Sequence, residues 1–288
     1  MSRIDDIFST LRPVDIKALM PFICGGYPRP GILGSLLAAA ESGGASIVEV
    51  GIPFSDPIAD GPVIASAMHE ALGAGATPAS VMEEVRAARA NLGLGLVAMV
   101  SMSIVHRMSS GGANASGATG VGSFVAKAKE CGFDGLIVPD APLEESAQLR
   151  EACKLQDVSF SMLISPTTPP ERAAAIARAC TGFVYVLARA GITGEQSGAP
   201  DVSQRIAQLR SVTDLPLVVG FGISTAEHVA AAVKHADAAI VGSALVRRIA
   251  DAAKAKRDPV FECKQFVQSL SMGLLGDDRK NDPNRRLA

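Results

Sequence analysis

Short β-branched and aliphatic runs alternate along this chain with segments whose apolar residues recur every three or four positions. The runs cover 19–24, 47–50, 96–100, 135–138, 159–164, 183–187, 216–219 and 238–241. Most are apolar almost throughout instead of alternating with polar residues, as strands do when a parallel sheet is buried on both faces. Ile4, Ile7, Phe8 and Leu11 have helical spacing and predict a short amphipathic helix ahead of the first strand. Ile32, Leu36, Leu37 and Ala40 mark a helix that stops near Gly43-Gly44, and a short helix is expected over 63–72. Thr77-Pro78 supplies an N-cap and a first-turn proline for the next. Helices are also expected up to Cys131 and over 144–154. Thr168-Pro169-Pro170-Glu171 and Ser224 with Glu227 read as capping boxes, Gly242-Ser243 opens a helix at once, and Val260, Phe261, Phe266, Val267 and Leu270 line a final one.

Eight strand–helix alternations predict a parallel sheet closed into a (β/α)8 barrel, with an open doubly wound sheet as the competing architecture. The barrel is read as one domain over 1–275. Two stretches break the alternation. Residues 109–123 are low in complexity and rich in Gly and Ser, and 189–200 carry Gly191, Gly194 and Gly198, a loop able to open and close. The end, 276–288, is polar and expected to be disordered.

Composition narrows the function classes. Of 288 residues 48% are hydrophobic, yet the longest uncharged apolar-rich stretch, 91–105, is too short to span a membrane. The N-terminus, M-S-R-I-D-D-I-F, has charges where a signal peptide has its apolar core, so a cytoplasmic protein is expected. A net charge of −2, from 27 basic and 29 acidic residues mixed along the chain, gives no electrostatic case for nucleic acid or membrane binding. Five cysteines without a C-x-x-C pair read as small buried hydrophobes. His106, His228 and His235 share no ligand spacing, so no metal site is expected.

The chemistry concentrates around one stretch, S-I-V-E-V-G-I-P-F-S-D-P-I-A-D-G-P, from 46 to 62. Glu49 sits inside the apolar run, where a charge is uncommon. Pro53, Pro57 and Pro62 stiffen the following loop, which holds Asp56 and Asp60. Core neutralisation of Glu49 and turn-capping by the aspartates are the ordinary alternatives. Asp140 is similarly placed after the fourth strand. Gly220-Phe221-Gly222 mimics a dinucleotide fingerprint, but Thr225 occupies the third glycine's place and NAD binding is rejected. Gly222 with Gly242-Ser243, after the last two strands, fits a phosphate held by backbone N–H groups, and no Walker pattern occurs. Phe22 and Tyr185 lie on strands as pocket wall or core; Arg189 and Thr193 lie in the glycine-containing loop.

Glu49-x-Gly51-Ile52-Pro53-Phe54-Ser55-Asp56-Pro57-x-Ala59-Asp60-Gly61-Pro62 resembles the signature of tryptophan synthase α subunits. Pro21-Phe22, Pro139-Asp140-x-Pro142-x-Glu144-Glu145-Ser146, Arg189-Ala190-Gly191-Ile192-Thr193-Gly194, Gly220-Phe221-Gly222-Ile223-Ser224 and Val241-Gly242-Ser243-Ala244 extend the likeness in order. The resemblance implies a lyase that splits indole-3-glycerol phosphate into indole and glyceraldehyde 3-phosphate. It implies no cofactor of the chain's own and a β partner carrying pyridoxal phosphate, expected as α2β2. It further implies Glu49 as proton carrier and Asp60 as acceptor of the indole N–H. Phe22, Tyr185 and Phe221 would wall the indole, Gly194, Gly222, Gly242 and Ser243 would hold the phosphate, and Arg189 and Thr193 would belong to the lid. Three departures stand out: the family's Tyr and Asn after the third strand are replaced within Met99-Val100-Ser101-Met102-Ser103-Ile104, the Gly/Ser-rich loop that follows is longer than usual on a side the family uses for partner contact, and Tyr27 stands where Asp is common. The rival readings are a subunit that mainly activates its partner, and another phosphate-binding barrel enzyme.

Overall fold

The computed structural model describes residues 2–57, 60–109, 120–188, 202–220 and 222–275. Their strands are β1 (Ala18–Cys24), β2 (Ile47–Gly51), β3 (Gly95–Met99), β4 (Gly135–Ile137), β5 (Ser159–Ser161), β6 (Leu163–Ile164), β7 (Val184–Leu187), β8 (Leu217–Gly220) and β9 (Ala238–Val241). They lie in the order β5-β4-β3-β2-β1-β9-β8-β7-β6, and every registered pair is parallel. Only Met162 separates β5 from β6. The two are therefore one strand with a break, whose first half pairs with β4 and whose second half pairs with β7. That shared strand closes the sheet, and the architecture is the (β/α)8 barrel.

Side chains alternate about the barrel wall. Ala18, Met20, Ile47, Val97, Ile137, Val218, Ala238 and Ile240 form the interior cluster, while Leu19, Ile23, Val48, Val50 and Leu96 belong to the larger cluster that includes helix residues such as Leu33, Leu36 and Val81. The first helix, Arg3–Leu11, does more than precede the barrel: it closes its N-terminal end. Ile4 and Phe8 are buried in the interior cluster, and the Phe8 ring lies 6.4 Å from that of Phe183 at 53°. Ser2 caps this helix in a reciprocal box with Asp5, and its Oγ lies 2.6 Å from that of Ser159.

Several local expectations need correction. Helix Pro170–Ala179 has no side-chain cap, because Thr168 Oγ1 is turned back to accept from the Ser165 amide at 3.0 Å. Helix Ala226–Val233 is capped by Thr225, which accepts from the His228 amide, so the cap falls one residue after Ser224. The 144–154 segment starts as a 3-10 turn, Leu143–Glu145, before the α-helix Ala147–Leu155. Phe261 lies on the outer face of helix Pro259–Ser271 and is 58% exposed. A helix at Met102–Ser109 has no counterpart among the expected elements, and helix Val121–Glu130 takes in the end of the Gly/Ser-rich segment. The Thr77 cap is as expected, with Ser80 completing the box. All five cysteines are free and buried. No helix among the described residues is long and apolar enough to cross a membrane.

Candidate active site

Glu49 lies in the middle of β2, flanked in register by Phe22 on β1 and Val97 on β3. Strand alternation explains its direction: Ile47 faces the barrel interior, so Glu49, two residues on, faces the same side. Glu49 is 1% exposed, and among the described residues its Oε1 has no hydrogen-bond partner. Burial, with the nearby Asp60 charge adding to it, raises its pKa from 4.5 to about 8. Asp60, on the loop before helix Pro62–Gly73, is raised to about 6 by burial. The backbone of that loop turns back on itself, with the Asp60 amide donating to the Pro57 carbonyl at 3.0 Å. Between roughly pH 6 and 8 the pair thus holds one proton, on Glu49, beside an ionised Asp60.

Aromatic rings surround the pair by virtue of strand-end glycines. A Cβ on Gly51 would meet Phe22 Cζ at 2.4 Å, and one on Gly220 would meet the Tyr185 hydroxyl at 2.5 Å. Tyr185 is buried, and burial followed by the Glu49 and Asp60 charges holds its hydroxyl well above its ordinary pKa. Cys24, at the end of β1, is also buried and feels the Asp60 charge. Sequence reasoning assigned no part in the site to Gly51, Gly220 or Cys24; the available signal was a small residue closing a strand at the end that carries the acids.

The loops after β8 and β9 supply polar backbone. Gly222 has φ +78°, a conformation suited to glycine. Gly242 precedes helix Ser243–Lys254 and lies beside Phe22, its Cβ position being 3.8 Å from Phe22 Cβ and 3.6 Å from Ile64 Cδ1. The amides of Ser243 and Ala244 open that helix, so they have no intrahelical acceptor and sit at the positive end of its dipole. Asp60, Gly222, Gly242 and Ser243 follow the C-terminal ends of β2, β8 and β9, while Phe22, Glu49 and Tyr185 lie within β1, β2 and β7. Phe221, Arg189, Thr193 and Gly194 lie outside the described residues.

A cavity of about 250 Å³ opens beside Asp60, lined among others by Phe54, Asp56, Met68, Met99, Ser101 and Asp140. Asp56 is exposed on its rim. Asp140 acts as a structural clasp. Its carboxylate accepts from Ser101 Oγ at 2.7 Å and from the Met102 amide at 2.9 Å, fastening the start of helix Met102–Ser109 to the loop after β4. Among the described residues no group of three or more His, Cys, Asp or Glu is arranged to hold a metal ion.

The sequence model for the tryptophan synthase alpha chain matches residues 8–274. This chain belongs to the tryptophan synthase alpha chain family. The alpha chain of Halorhodospira halophila is 39% identical over 280 residues, covering 95% of this chain and 99% of that one. The alpha chain of Rhodopirellula baltica is 38% identical over 286 residues, covering 95% and 99%. The crystal structure of the tryptophan synthase alpha subunit from Legionella pneumophila superposes with a TM-score of 0.82 at 32% identity, over 95% of this chain and 98% of that one. The alpha chain family are carbon–carbon lyases of tryptophan biosynthesis that cleave indole-3-glycerol phosphate, with a β subunit as partner, and this chain is a lyase of that kind. The activator-only reading is not favoured.

Proposed function

We propose that Glu49 and Asp60 divide the chemistry of this cleavage between them. Breaking the bond between the indole ring and the glycerol chain requires somewhere for its electrons to go. Protonating the ring at C3 makes the ring that acceptor, and loss of the glycerol hydroxyl proton then completes a retro-aldol step. Glu49 carries the proton: kept protonated by burial near neutral pH, it gives its proton to C3 and, as the carboxylate so formed, takes up the hydroxyl proton, and among the described residues its Oε1 has no competing partner. Asp60, ionised under the same conditions, accepts the indole N–H and stabilises the positive charge that develops on the ring. Phe22, Tyr185 and Phe221 wall the indole. The amides around Gly194, Gly222, Gly242 and Ser243, with the dipole of helix Ser243–Lys254, hold the phosphate. Arg189 and Thr193 belong to the segment that shuts water out.

The barrel over 1–275 acts as one catalytic domain, in the cytoplasm, as half of an α2β2 assembly with a β subunit that carries pyridoxal phosphate. The chemistry assigned to this chain uses no cofactor of its own. The reading is carried above all by a deeply buried carboxyl group whose Oε1 has no partner among the described residues, close to a second acid on the loop after β2. It is tested by indole release from indole-3-glycerol phosphate, alone and with the β subunit. E49Q should lower kcat by about 10³-fold or more while KM changes little. Full activity in that variant would remove Glu49 from the mechanism.

A further inference from the structure

A second cavity, of about 410 Å³, lies at the opposite, N-terminal end of the barrel, and nothing in the lyase reaction uses it. Its wall includes Arg150 and Lys154 from helix Ala147–Leu155 and Arg178 from helix Pro170–Ala179. Elsewhere in this protein arginines near the same end are paired: Arg89 with Asp134, and Arg12 and Arg210 with Asp237. Arg150, Lys154 and Arg178 differ, for among the described residues none of the three has an ion pair or a side-chain hydrogen bond. Arg150 Nε is moreover buried without an acceptor among the described residues. A desolvated cationic donor left unpaired opposes folding, and an anion on the guanidinium would offset that cost.

Three carboxylates share the cavity wall. Asp5 is already engaged by the Ser2 amide and hydroxyl at 2.8 and 2.9 Å. Glu151 and Asp157 are exposed, so water and salt screen their repulsion of an incoming anion. We propose that the cavity between helices Ala147–Leu155 and Pro170–Ala179 is a phosphate-binding site, held by Arg150, Lys154 and Arg178 and separate from the phosphate cradle of the lyase. The volume admits more than inorganic phosphate, so the bound group is either the free anion or the end of a phosphomonoester. Occupancy would brace the first helix as well, since Ser2 and Ser159, joined through their hydroxyls, are part of the same wall.

Titration of the isotope-labelled full chain with phosphate, followed by amide NMR at constant ionic strength, separates the two sites. The amides of Val158, Ser159 and Thr181 should shift with one midpoint, and those of Ser243 and Ala244 with another. R150Q should weaken the first response about tenfold or more and leave the second unchanged. The double variant K154Q/R178Q, altered only at exposed side chains, should weaken the same response and serves if R150Q does not fold. A glycerol 3-phosphate arm distinguishes the sources: tighter binding than inorganic phosphate identifies a phosphomonoester, and equal binding identifies the free anion. No shift at Val158, Ser159 and Thr181 up to about 20 mM phosphate would overturn the proposal. So would a midpoint unchanged in both variants.

Discussion

Two carboxylates of the same chemistry reach different protonation states here because their surroundings differ. Glu49 is sealed in the barrel wall, whereas Asp60 keeps some exposure on its loop. Activity should therefore rise with pH through about 6 as Asp60 ionises and fall through about 8 as Glu49 loses its proton. These limbs belong to the pair as a unit, and a kcat/KM profile is the measurement. D60N should abolish the acidic limb along with most of the activity. The same burial has a consequence for folding. In the unfolded chain Glu49 ionises near 4.5, and in the folded one near 8, so the folded state binds the proton more tightly between those values. Native stability then declines as pH rises through that window. E49Q has no such proton to lose, and its stability relative to the native chain should increase by roughly 2–4 kcal/mol from pH 5 to pH 8. Denaturant melts at the two pH values check this; an equal difference at both would mean that Glu49 is not held neutral by burial.

At the scale of the elements, strand ends set the geometry of the site. Gly51 ends β2 where the Phe22 ring lies across it. G51A must push that ring away, and we expect a stability loss of about 1–3 kcal/mol with a rise in KM, measured by chemical denaturation and steady-state kinetics. The strands themselves were legible from sequence because runs such as Ile47 to Val50 have no other economical reading in a parallel sheet. Glu49 stood out for the same reason, as a charge inside such a run. What stayed hidden was non-local. Nothing near Met102 announces a helix, because its N-terminal amide is capped by Asp140 from another loop. Thr168 looked like a cap by spacing, but the Ser165 amide claims its hydroxyl. The pairing of Gly51 with Phe22 depends on strand register, which a single sequence does not state.

For the whole molecule, closure is achieved twice. The strand broken at Met162 closes the wall, and helix Arg3–Leu11 closes the floor. Phe8 is remote from the acids, so F8A should cost about 3–5 kcal/mol in a thermal or denaturant melt while leaving KM for the substrate unchanged. A change in KM at full folding would mean that floor and site are coupled. The floor also constrains how the protein is made. Ile4 and Phe8 leave the ribosome well before the second half of the barrel, yet Phe8 finds its ring partner in Phe183 and Ser2 finds Ser159. Until that later half emerges, the nascent chain carries an amphipathic helix with its apolar side uncovered. This helix is thus made before the residues that bury it, and during translation its uncovered apolar face calls for a chaperone.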